Sequence, residues 1–196
     1  MKKAIIIYGS PGKEEYLNPA NPSPSNHHWL PWIQRRLILK GILAQTPEMP
    51  EPYDPDYQAW KRVIEGFAPD ADTLLVGHSS GGGFLLRYLS EMEKSKKVGR
   101  VVLVAPWIDP DGEFDRGFFD FEIDAGLAKK TDGLVVMYST DDSPSVLESI
   151  AVLKKKLAGA VFQEFSGKGH FTIGRMKTEE FPELLENVLS PKALVK

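Results

Sequence analysis

Gly77-His78-Ser79-Ser80-Gly81 decides how this chain is read. The apolar run Thr73-Leu74-Leu75-Val76 precedes it, and the helical pattern Phe84-Leu85-Leu86-Arg87-Tyr88-Leu89 follows. In the order strand, G-x-S-x-G, helix, a serine sits on a turn so sharp that its hydroxyl stands clear of the backbone. The residues two before and two after such a serine must be small, because their Cβ atoms would collide. Gly77 and Gly81 meet that demand around Ser79, whereas Ser80 has His78 two places before it. Ser79 is the candidate nucleophile, and the implied chemistry is acyl transfer to water. The plain alternative is a Gly-rich helix entry with no chemistry. A phosphate cradle is disfavoured, because the lysine of G-x-x-x-x-G-K-[ST] is absent and the motif is not G-x-G-x-x-G.

Outward from the motif, strands and helices alternate. Ala4–Tyr8 and Val101–Ala105 read as buried strands, Thr73–Val76, Leu134–Tyr138 and Val161–Phe165 as further strands, and Ala44–Thr46 as a short edge strand. Helical spacing predicts helices over Trp29–Ile42, Asp56–Phe67 (capped near Asp54), Phe84 to about Lys94, Pro144–Leu157 and Thr178–Leu189. Ser10–His28 reads as a polar loop, and Trp107–Thr131 as an irregular excursion rich in aromatic and acidic residues. This alternation predicts one α/β domain over residues 1–196, with a mostly parallel sheet of about six strands covered on both faces.

The 196 residues are 42% hydrophobic and 26% charged, with a net charge of -3. Those values carry no electrostatic footprint for nucleic acid or an anionic membrane. With no cysteine, disulfides, thiolate metal sites and a cysteine nucleophile are excluded. No spacing resembles a zinc or calcium site, and neither a metal nor any other cofactor is expected. The run after Met1-Lys2-Lys3 is too short for a signal peptide and ends in Gly9-Ser10-Pro11-Gly12, so a cytoplasmic location is expected.

A serine hydroxyl needs a base. His27 and His28 precede the motif, and His78 lies inside it. His170, in Gly167-Lys168-Gly169-His170-Phe171, follows the last strand, where open α/β sheets bind ligands. Chain order in α/β-hydrolases, Ser…Asp/Glu…His, puts the acid between Ser79 and His170. Ser139-Thr140-Asp141-Asp142 follows a late strand, and either aspartate fits; the one not used reads as a helix cap. Asp109, Asp111, Asp115 and Asp120 read as solvated loop charges. A tetrahedral oxyanion needs backbone donors. The N–H groups of Ser80 and Ser10 are the candidates, Pro11 having none. Trp29, Trp107 and Phe171 are candidates for a substrate pocket, with Trp32, Phe118 and Phe119 nearby; core packing is the better reading for Trp32 and Trp60.

These residues together resemble the small bacterial and eukaryotic serine hydrolases typified by retinoblastoma-binding protein nine. The likeness runs over nearly the whole chain. It is carried by His28-Trp29 with Trp32, Met49-Pro50-Glu51-Pro52 followed by Trp60, Gly77-His78-Ser79-Ser80-Gly81-Gly82, Gly117-Phe118-Phe119, Ser139-Thr140-Asp141-Asp142 and Gly169-His170-Phe171. The resemblance implies a compact α/β-hydrolase fold without a large cap, with Ser79 as nucleophile and His170 as base. It also implies that the acid is the second aspartate of the pair, Asp142. The chain departs from the family just afterwards, having Ser143-Pro144 where Asp-Asp-Pro is usual. The retinoblastoma-binding motif Leu-x-Cys-x-Glu needs a cysteine, so that partner is not carried over.

The expectation is a serine hydrolase cleaving a small ester or amide through an acyl-enzyme, with short-chain carboxylesterase activity foremost. A binding protein that keeps the fold without efficient turnover, and an acyltransferase, are the rival readings.

Overall fold

The computed structural model describes residues 1–114 and 117–190. Six parallel strands form one sheet: β1 (Lys3–Ile7), β2 (Leu43–Gln45), β3 (Thr73–His78), β4 (Val101–Val104), β5 (Leu134–Ser139) and β6 (Val161–Phe165). Their order is β2-β1-β3-β4-β5-β6. Every residue of β3, β4 and β5 is buried, so these strands are covered on both faces. That burial explains their unbroken apolar runs, since a strand with one wet face would alternate.

The helices are α1 (Lys13–Leu17), α2 (Leu30–Leu39), α3 (Tyr57–Gly66), α4 (Ser80–Glu91), α5 (Pro144–Lys156), α6 (Ile173–Met176) and α7 (Pro182–Leu189). Two aromatic clusters dock them. Trp60 of α3 meets Phe84 of α4 and Phe118 of the long excursion, with ring centroids 5.4 and 5.1 Å apart. Just before α2 and α7, Trp29 and Phe181 meet at 5.8 Å. The Met49-Pro50 segment is pinned between these layers. The Met49 N–H donates to the Tyr8 hydroxyl at 2.7 Å, and Trp60 Nε1 donates to the Pro50 carbonyl at 2.9 Å.

Three helix expectations need correction. The cap of α3 is Asp56, whose carboxylate accepts the Ala59 N–H at 2.7 Å, and not Asp54. The closing helix starts at Pro182 rather than Thr178, with proline in the first turn, where its missing N–H costs no hydrogen bond. Part of the expected loop 10–28 forms the five-residue α1, which buries no residue and so leaves no apolar stripe in the sequence.

The strand order places the site. The chain leaves β1 for β2 on one side and returns across β1 to β3 on the other. The loops after β1 and β3 therefore part at a switch point and leave a crevice between them, the usual ligand position in open α/β sheets. Ser10 and Ser79 stand on those two loops.

Candidate active site

Ser79 is the pivot between β3 and α4. Its backbone has φ 54° and ψ -127°, a strained conformation for a residue with a side chain. Surrounding bonds hold it there. Its N–H donates to the Val104 carbonyl at 3.0 Å, and its carbonyl accepts the N–H groups of Gly82 and Trp107 at 2.9 and 3.1 Å. The two flanking glycines are needed for different reasons. A Cβ on Gly77 would lie 2.8 Å from the Gly81 carbonyl, across the turn. One on Gly81 would lie 2.3 Å from the Tyr8 carbonyl, so the neighbouring strand sets that limit rather than Gly77.

His170 Nε2 is 2.8 Å from Ser79 Oγ, and His170 Nδ1 is 2.9 Å from Asp142 Oδ2. A carboxylate oxygen only accepts, so the ring proton resides on Nδ1. Nε2 is left with a free lone pair toward the serine hydroxyl. The Asp142 side chain is 2% exposed and that of His170 30%, so the carboxylate is enclosed while the imidazole meets the cleft.

Asp141 faces another way. Its Oδ1 accepts the N–H groups of Gly167 and Gly169 at 2.9 and 3.2 Å and the Ser139 hydroxyl at 2.5 Å. The Ser139 hydroxyl, more than those backbone donors, holds the Asp141 carboxyl below the usual carboxylate range. Asp141 thus fastens the loop that carries His170. The helix cap expected of the spare aspartate is Ser143 instead, whose hydroxyl accepts the Val146 N–H. In the long excursion, Asp109 closes its own turn by accepting the N–H groups of Glu113 and Phe114, so it is more than a solvated charge. Asp115 lies outside the described residues.

Two further residues, to which sequence reasoning assigned no part in positioning the site, hold the His170 loop. His78 Nε2 donates to the His170 carbonyl at 2.9 Å. Burial, ahead of the neighbouring His170, pushes the His78 pKa well below its ordinary value, so its ring is neutral. His28 Nδ1 accepts the Ile173 N–H at 3.3 Å, and burial, with His27 beside it, lowers its pKa to about 4. The one available signal was composition: all four histidines of the chain gather here, with His27 stacked on His28 at 4.0 Å and His78 5.0 Å from His170. Among the described residues no three potential metal ligands converge.

Two cavities meet at Ser79. One, of about 490 Å³, is lined by Tyr16, Pro24, His27, His28, His78 and Ile173 together with Ser10 and His170. The other, of about 750 Å³, runs beside Trp107, Phe114, Ser80, Ser145 and Arg175. Trp107 is therefore on a wall, its Nε1 anchored to the Ser145 hydroxyl at 2.7 Å. Trp29 and Phe171 are not. Both are buried beneath the His170 loop, where Trp29 Nε1 donates to the Phe171 carbonyl at 3.0 Å. Phe171 stacks on Phe181 at 5.4 Å. Packing takes these two rings because the loop needs an apolar floor.

Ser80 heads α4, where the first backbone N–H groups have no partner within the helix. The Ser10 N–H, the second expected oxyanion donor, is already engaged: it donates to Ser80 Oγ at 2.6 Å.

A family model described as serine hydrolase matches residues 19–186. The Bacillus subtilis protein YdeN is 28% identical over 167 residues, covering 81% of this chain and 86% of YdeN. Its crystal structure superposes with a TM-score of 0.78, covering 95% of this chain and 96% of that one. The serine hydrolase RBBP9 of Rattus norvegicus is 23% identical over 193 residues, covering 96% of this chain and 94% of its own. The esterase EaEST of Exiguobacterium antarcticum shares the fold at a TM-score of 0.60 and 16% identity, over 97% of this chain and 92% of that one. With a family match spanning most of its length and an α/β-hydrolase sheet beneath it, this chain belongs to the serine hydrolase family.

Proposed function

We propose that this protein hydrolyses a small ester or amide through an acyl-enzyme on Ser79. The unbroken hydrogen-bonded line from Ser79 Oγ through His170 to Asp142 carries the reading. Ser79 Oγ attacks the acyl carbon while its proton passes to His170 Nε2. The tetrahedral intermediate collapses, the bond to the leaving group breaks, and His170 hands that group the proton. Water then repeats the sequence: His170 takes its proton, the hydroxide attacks the acyl carbon, and Ser79 leaves as the reprotonated hydroxyl. Asp142 keeps the ring in the Nδ1–H tautomer and stabilises the imidazolium. The developing oxyanion lies toward the N-terminus of α4, where the Ser80 N–H and the helix dipole favour negative charge.

The two cavities on either side of Ser79 suit a substrate lying across the serine, acyl part on one side and leaving group on the other. The shelf at Trp107 and Phe114 favours a short acyl group, because it is open rather than tunnel-like. Phe118, expected near the substrate pocket, is buried against Trp60 and Phe84.

The test is labelling with a fluorophosphonate, which reacts quickly only with an activated serine. Wild type should label within minutes and Ser79→Ala should not label. Equal labelling of the two would sink the reading.

A further inference from the structure

The two loops at the switch point are hydrogen-bonded through the Ser80 side chain. Ser80 is 1% exposed yet borders the cleft beside Ser79. Its Oγ accepts the Ser10 N–H at 2.6 Å and donates its proton to Ser10 Oγ at 2.9 Å. An N–H committed to one oxygen is not open to a second on the same line. With the side chains as they stand, the Ser10 N–H faces the Ser80 hydroxyl rather than the position of an oxyanion.

We propose that the Ser80 hydroxyl is itself an oxyanion donor, with the Ser10 N–H behind it. This rests on the reading of Ser79 as nucleophile. Rotation about the Cβ–Oγ bond moves one hydrogen from Ser10 Oγ to the new oxyanion, and no heavy atom shifts. Ser10 Oγ is the partner given up, and it belongs to a partly exposed residue that water can serve. The Ser10 N–H stays on Ser80 Oγ and draws electron density from it, so the O–H becomes a stronger donor. The hole then consists of the Ser80 N–H and the Ser80 O–H, one residue supplying both. The rearrangement is small, as a preorganised site requires. No bond other than hydrogen bonds forms or breaks.

The competing arrangement treats Ser80 Oγ as a stopper. It would swing out when substrate binds, and the Ser10 N–H would meet the oxyanion directly. The two make opposite predictions for Ser80→Ala. As a donor, Ser80 is missed in the transition state: kcat on p-nitrophenyl acetate falls about 10²-fold with KM little changed. Ser80→Thr, which keeps a hydroxyl, recovers at least part of that loss. As a stopper its removal leaves kcat unchanged or higher, and that result overturns the proposal.

A crystal structure of the wild-type fluorophosphonate adduct decides the matter even if the Ser80 variants fold poorly. The phosphonyl oxygen should lie within hydrogen-bond reach of Ser80 Oγ, with Ser10 N still bonded to that same Oγ. A phosphonyl oxygen bonded directly to Ser10 N, with Ser80 Oγ rotated away, refutes the relay and leaves the nucleophile assignment standing. An absence of any adduct on Ser79 removes both.

Discussion

The interior of the sheet and its carboxyl edge obey opposite rules. Inside, Leu75, Val76, Val102, Leu103, Val135 and Val136 are apolar, buried and in extended backbone. At the edge, buried polar side chains such as His78, Ser80 and Ser139 appear among the apolar ones, and the backbone turns through positive φ at Ser79, Ala105 and Phe171. Each such residue costs of order 1–3 kcal/mol and persists only where its surroundings over-determine it. Here the hydrogen bonds to the Ser79 backbone and to the His170 loop over-determine it. The difference teaches that burial in the interior maintains a strained edge, where the reactive side chains of the proposed site gather. Mutations should separate along the same line.

The largest effects belong to the edge and should appear in turnover alone. Ser79→Ala should lower kcat by roughly 10⁴- to 10⁶-fold, and Asp142→Asn by roughly 10⁴-fold through the wrong histidine tautomer. Both variants should melt close to wild type. A large fall in melting temperature alongside lost turnover would break the division. Leu75→Ala tests the other side. Leu75 is fully buried in β3, and its truncation should cost about 2–5 kcal/mol in urea unfolding. Turnover per folded molecule should stay near wild type, and a loss approaching that of Asp142→Asn would refute the contrast.

Asp141→Asn should fall between the two. Its side chain holds the His170 loop but does not touch the ring, so turnover should drop on the order of tenfold or less, the scale of one weakened hydrogen bond. Its depressed pKa means that this grip is complete at neutral pH. The grip is lost only as pH falls below the ordinary aspartate value of 3.8. If Asp141→Asn proved more damaging than Asp142→Asn, the roles of the two carboxylates would have to be exchanged.

The smallest expected effect concerns the acyl chain. A buried tunnel would add about 0.8 kcal/mol, or about fourfold in kcat/KM, for each methylene. The shelf at Trp107 should give no such rise from p-nitrophenyl acetate through butyrate and octanoate to palmitate. A steady climb through the longer esters would reveal an apolar tunnel beside the serine.

Much of this molecule is legible in its residues because the rules are local. Largely apolar runs mark β1 and β3 to β5, since a strand buried on both faces admits little else, whereas β6, at the sheet edge, carries Gln163 and Glu164 and is only half-buried. Small residues around Ser79 mark the sharp turn, and the position of His170 after the last strand marks the histidine that meets Ser79. Helix ends are less legible: Asp54 and Asp56 stand equally well before α3, and the short α1 buries no residue.

Other matters depended on contacts between distant segments. His170 follows β6, three strands from β3 and roughly 14 Å away at ordinary strand spacing. Only the loop drawn back by Asp141, His78 and Trp29 brings it to Ser79. Asp141 and Asp142 are adjacent in sequence and follow one strand, so residue type and spacing do not separate them. The family resemblance pointed to Asp142; in the fold, neighbouring side chains leave the backbone in different directions, and only that of Asp142 meets the imidazole. Trp29 and Phe171 have the composition of a pocket, yet the loop above them needs a floor. Ser10 and Ser80 are 70 residues apart, and nothing local signals that one hydroxyl joins them. Patterning along the chain determined which groups stand at the carboxyl edge. The strand order and the loops folded over it determined which of them touch, because contact between remote residues is a property of the packed sheet rather than of any single segment.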